Sequence, residues 1–254
     1  MTDNLRIADS RISEDFVRSV SEPGWTESWH PISHGRCIDA METATKELGI
    51  KVQQRFYSMS KDTLKMYGAW TIGDGDTKKL GSDTLFQCIL FRNSIDKSYS
   101  FGINGGTDAY ICENLMVFGK FIEFRRHTSG LDSEELRRVV TKGIKKLKPR
   151  LNSIMEWHQS LRNIRLTETK TRALSYDAIR EKVISQKAIP QFHDLLFGEG
   201  DKRHYEPNSL FNFHGAATEL MRDMRMTGGF QSKQNRLNEF VQKRYGSQLP
   251  KIIS

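Results

Sequence analysis

The chain predicts an α+β fold, with a largely antiparallel sheet in its N-terminal half and a helical C-terminal half. Three observations predict it. Between residues 50 and 130, apolar and aromatic residues alternate or cluster in short runs, as in Val52–Ser58, Leu64–Ile72 and Leu85–Arg92. Polar or Gly-rich interruptions separate these runs at hairpin-like intervals. From Asp132 onward the apolar spacing becomes helical, and a run of strands followed by a run of helices is the α+β pattern.

Residues 1–34 mix charged residues with Ser, Pro and Gly and read as an arm, with Trp25 and Trp29 as packing anchors. His34 to Leu48 reads as a helix with Cys37, Ala40, Met41, Ala44 and Leu48 on one side, and Gly49 stands as its stop. The strands Val52–Ser58 and Leu64–Ile72 flank a polar stretch at Ser60–Thr63, and Gly73-Asp74-Gly75-Asp76 forms a turn. Leu85–Arg92 is apolar enough for a central strand, with shorter candidates at Tyr99–Ile103, Ala109–Cys112 and Phe121–Arg125. Turns are expected at Asn93–Lys97 and Asn104-Gly105-Gly106, and Asn93, Asp96 and Asn114 are expected to hold turns through side-chain hydrogen bonds. Asp132 or Ser133 caps the next helix, with Glu134 and Glu135 in its first turn. Pro149 should end or kink it before a second stretch over Arg150–Thr169. Further helices are expected at Tyr176–Gln186, Ser209–Met224 and Lys233–Tyr245, with a mobile loop over Phe197–Pro207. The expected organisation is an arm (1–34), one α+β domain (35–245, sheet-rich over 50–130 and helical over 131–245) and a tail (246–254).

The 254 residues include 37% hydrophobic ones, enough for a sizeable core, and a net charge of +8 favours acidic partners. The three cysteines have no Cys-x-x-Cys pair, which suits a reducing compartment, so the expected location is the cytoplasm of a bacterial host. The segment Met1-Thr2-Asp3-Asn4-Leu5 lacks a secretory pattern, and no apolar run approaches 20 residues, so no membrane partner is expected.

The charge is concentrated. From Lys120 to Arg150 there are ten Lys and Arg against four Asp and Glu, and Leu136–Arg150 holds seven basic residues and no acid. Leu136, Val140, Gly143 and Leu147 fall on one helical stripe, so the cations project elsewhere. Arg125, Arg126, Arg137, Arg138, Lys142, Lys145, Lys146, Lys148 and Arg150 are therefore the candidate nucleic-acid contacts. Tyr57, Tyr67, Trp70, Tyr99, Phe101 and Tyr110 could stack on bases or fill the core, since strand periodicity leaves open which face is buried.

Other chemistry has weaker support. His30, His34 and Cys37 have ligand-capable side chains at helical spacing, but a metal site needs a fourth ligand and Pro31 interrupts the helix; docking of the arm explains them as well. His127 reads either as a donor on the basic surface or as a solvent-exposed strand-end residue. Cys112 lies in an apolar run and reads as an inert buried thiol. Asp74-Gly75-Asp76 lacks the remaining ligands of a calcium loop, and there is no phosphate-binding Gly-Lys-Ser/Thr loop. The expectation is a non-enzymatic protein without a cofactor or metal.

Motif order resembles the phage/plasmid-like protein family of bacterial, phage and mobile-element domains. The resemblance runs through Leu90-Phe91-Arg92-Asn93-Ser94-Ile95-Asp96-Lys97-Ser98, then Ile111-Cys112-Glu113-Asn114-Leu115 and Phe124-Arg125-Arg126-His127-Thr128. It ends in Leu210-Phe211-Asn212-Phe213-His214-Gly215-Ala216-Ala217-Thr218-Glu219 and Arg236-Leu237-Asn238. Ile95 and Lys97 depart from the family's usual His and Gly, so no chemistry of those residue types transfers. The resemblance implies a phage or mobile-element protein; the charge pattern adds binding of nucleic acid, preferentially single-stranded DNA, with strand annealing as an oligomer one version of that function. Phe16, Val17, Val20, Trp25, Trp29, Phe240, Val241, Ile252 and Ile253 are candidate handholds for a neighbouring subunit or for docking on the same chain. The alternative is an interaction protein that modulates a host replication, repair or defence factor.

Overall fold

The computed structural model describes residues 12–73, 78–80, 83–109, 114–221 and 229–250. Its order is α1 (Glu14–Ser19), α2 (His34–Glu47), β1 (Val52–Met59), β2 (Lys65–Ile72), β3 (Lys78–Leu80), β4 (Asp83–Ser94), β5 (Phe101–Ala109) and β6 (Asn114–Arg125). There follow α3 (Ser133–Asn163), α4 (Glu168–Arg180), α5 (Ile189–Phe197), α6 (Leu210–Glu219) and α7 (Phe230–Tyr245). The protein is α+β: five antiparallel strands in the order β1-β2-β4-β5-β6 come first, with the short β3 paired to β4, and most helices follow.

Local rules account for the element boundaries. The Ser33 side chain accepts the Arg36 amide at the start of α2, and Gly49 at φ +62° turns the chain out of it. β4 is central and buried on both faces, so its apolar run is continuous: Cys88 and Leu90 join one core cluster, Ile89 and Phe91 the other. The first cluster also takes in the C-terminal helices; the second takes in α1, α2 and the first half of α3. The 31-residue α3, roughly 46 Å long at about 1.5 Å per residue, contributes to both.

Several expectations are corrected. Asn104-Gly105-Gly106 is no turn but lies within β5, at a register shift between Ile103 and Gly105. Close approach explains the glycine: a Cβ at Gly105 would stand 2.3 Å from Leu147 Cδ1, and one at Gly143 of α3 would stand 3.0 Å from Ile103 Cδ1. These two positions let the basic helix bed directly on the sheet. Pro149 does not end α3. Its ring is exposed while Leu147, Leu151 and Ile154 are buried, and burial of each, at about 1.5–3 kcal/mol, outweighs a proline's cost of about 3 kcal/mol.

α3 ends at Asn163 and α4 starts at Glu168, so no helix spans Arg150–Thr169 and the helix expected at Tyr176–Gln186 lies earlier in the chain. α5 was unforeseen. The expected Phe197–Pro207 loop holds a 3-10 turn at Gly200–Lys202. Asn93 lies inside β4 opposite Met66, and Asn114 opens β6 opposite Ala109, so both belong to strands rather than to connections. Asp96 does hold a turn, accepting both the Ser98 amide and the Ser98 hydroxyl. Asp74–Asp76, Tyr110, Cys112 and Ile252–Ile253 lie outside the described residues. No helix among the described residues is long and apolar enough to cross a membrane.

Candidate nucleic-acid interface

α3 builds the site. The Asp132 carboxylate accepts the Glu135 amide at 2.8 Å and caps the helix, placing Glu134 and Glu135 at its positive end. Leu136, Val140, Gly143 and Leu147 then face the core, as the spacing predicted, joined by Ile144, and turn the cations outward. Arg137, Arg138, Lys142, Lys145 and Lys146 line an open groove of about 580 Å³, with Thr141, Glu134 and, from the end of α2, Glu47.

Carboxylates answer some of this charge. Arg137 Nη1 donates to Glu47 Oε1 at 2.7 Å, Arg138 pairs with Glu135, and Arg125 lies 3.9 Å from Glu135. Glu123 on β6 accepts from Lys142 at 3.4 Å and from Lys146 at 2.9 Å. Partial burial pushes the Glu123 carboxyl upward, but these lysines outweigh it and hold it below the usual carboxylate range. Arg126, Lys145, Lys148 and Arg150 have no carboxylate partner among the described residues, so nine basic side chains meet three paired carboxylates. Pairs whose cations lie in solvent, as these do, contribute roughly 0–1 kcal/mol. A phosphate can therefore displace a carboxylate at little cost.

Among the described residues, the aromatics that the sequence offers for stacking do not supply a platform. Tyr57, Tyr67, Trp70 and Phe101 are buried. Trp70 Nε1 donates to the Tyr57 hydroxyl at 3.1 Å, which donates to Glu14 Oε2 at 2.8 Å, and the Arg55 guanidinium lies 4.5 Å above the Trp70 ring. Tyr99 is half-buried beneath the Arg92 guanidinium at 4.6 Å. An exposed aromatic lies where the spacing did not single one out. Phe124, 64% exposed, lies near the end of β6, followed in the chain by Arg125 and Arg126.

His127 fits neither reading drawn from the sequence. It is buried, and its Nδ1 accepts the Ile32 amide at 3.1 Å while its carbonyl accepts the His30 amide at 3.2 Å. Burial, with His34 nearby, pushes its pKa down to about 4, so the ring is neutral at pH 7. Asn93 completes this dock, donating to the Ile32 carbonyl at 2.8 Å and to His34 Nδ1 at 3.0 Å; the other nitrogen of His34 donates to the Thr63 carbonyl at 3.0 Å. The arm is thus held by backbone groups that a sequence cannot display. His34 has both ring nitrogens engaged, and the Cys37 thiol is fully buried with its pKa pushed up. Among the described residues no three His, Cys, Asp or Glu come together as metal ligands. Trp25 is 72% exposed and meets the His30 ring in an edge-on contact, whereas Val17, Phe240 and Val241 are buried within their own chain.

Comparison with protein families, with curated proteins and with solved structures returned no match.

Proposed function

We propose that the protein is a non-enzymatic, nucleic-acid-binding component of a phage or mobile element, and that its contact surface is the outer face of α3. The observation that carries this reading is the groove of Arg137, Arg138, Lys142, Lys145 and Lys146, whose cations are held outward by a buried apolar stripe. A row of cations on a rigid helix matches the regular negative charge of a phosphate backbone. The carboxylate pairs, whose cations are exposed, yield to phosphate on binding.

Changing Lys142, Lys145 and Lys146 together to Ala tests it. All three side chains are exposed, so the fold survives and the circular dichroism spectrum is unchanged. Loss of a phosphate contact at each position lowers affinity for a labelled oligonucleotide; unchanged affinity removes α3 from the site. A second reading, capture of an acidic host protein, is favoured by the bare Trp25 ring, because exposed Trp commonly anchors protein interfaces. Trp25→Ala would then abolish capture of that protein and leave oligonucleotide binding intact.

A further inference from the structure

We infer that Phe124 stacks an unpaired nucleobase and gives the site its preference for single strands over duplex. This rests on the nucleic-acid reading of α3 and names the group that selects among nucleic acids.

Phe124 is a large apolar side chain left 64% exposed in a strand whose neighbouring residues are charged. Register explains why the ring is bare. β6 is the edge of the five-strand path, and the residue opposite Phe124 on β5 is Gly102, which has no side chain to cover it. Glu123, one residue earlier, turns toward α3 and receives Lys142 and Lys146, so strand alternation turns Phe124 to the opposite face. Arg125 and Arg126 follow, both exposed.

An exposed ring with cations close by in the chain is what an exposed base with its phosphate requires: the ring stacks on one face, while Arg125 on the α3 side and Arg126 beyond the strand end meet the backbone charge. The two faces also select by stiffness. A chain contacting the α3 lysines and Phe124 must turn around the β6 edge. A duplex, with a persistence length of about 50 nm, cannot make that turn and keeps its bases paired inside, whereas a single strand is free to do both.

The test is fluorescence anisotropy with labelled oligothymidine and a labelled duplex, read for the wild type, Phe124→Ala, Phe124→Trp and the α3 triple-alanine variant. The expected result is that Phe124→Ala weakens oligothymidine binding about ten-fold, leaves duplex affinity and the salt dependence unchanged, and is rescued by Phe124→Trp. The triple variant weakens binding to both probes. Equal oligothymidine affinity of Phe124→Ala and wild type overturns the inference while leaving the α3 site standing, as does a wild type that favours the duplex. If Phe124→Ala instead disrupts self-association with affinity intact, the ring is an interface between copies and the inference falls. A wild type that binds neither probe overturns the underlying reading as well.

Discussion

Gly105 and Asn93 show how single residues place the basic helix and the arm. Gly105 leaves room for Leu147, so Gly105→Val overpacks the seam between β5 and α3. That should cost about 1–3 kcal/mol and lower the thermal midpoint; an unaltered midpoint would mean that the helix does not bed there. Asn93 bonds the Ile32 carbonyl and His34, so Asn93→Ala leaves buried polar groups unpaired. The expected loss is again about 1–3 kcal/mol, accompanied by faster proteolysis within the arm. Stability loss without greater cleavage would count against the dock. In sequence Asn93 reads only as a turn residue, because its partners stand 61 and 59 positions earlier in the chain.

At the scale of elements, the fold was legible where local chemistry determines it. The end of α2 follows from Gly49 and its buried side from the apolar spacing, the first two strands from alternating or aromatic-rich runs, and the buried stripe of α3 from its spacing. It failed where packing overrides a local signal: glycines in β5 that admit a leucine, and a proline carried through α3 by the burial on either side. Within the site, the cations were legible from charge density, whereas Glu47 and Glu123 as their partners, and Phe124 as the bare ring, emerge only from register and packing. Pro149→Ala tests the packing argument for α3. With the missing amide restored and the apolar stripe untouched, the protein should gain stability of up to about 3 kcal/mol, read as a higher denaturation midpoint. A destabilised variant would mean that the proline itself is required by the surrounding packing.

For the whole molecule, buried histidines tie stability to pH. Burial, with the Asn238 hydrogen bond opposing it, holds the His214 pKa down at about 4; burial and His34 hold His127 at about 4; burial and His214 push His158 down further. Each has a folded pKa below its ordinary 6.5, so the unfolded chain takes up the proton first. Stability is therefore complete above about pH 6.5 and falls as the pH drops toward 4, by roughly 1.4 kcal/mol per unit for each group. Constant stability between pH 6.5 and 5 would contradict these burials. The central claim, that the outer face of α3 binds a phosphate backbone, is tested most directly by the salt dependence of oligonucleotide affinity. The account predicts that log Kd rises linearly with log salt for the wild type, and that Lys142, Lys145 and Lys146 changed together to Ala flatten the slope by about 0.7 per lost contact on a single strand. Binding that is insensitive to salt, or a slope that the three substitutions leave unchanged, would contradict it.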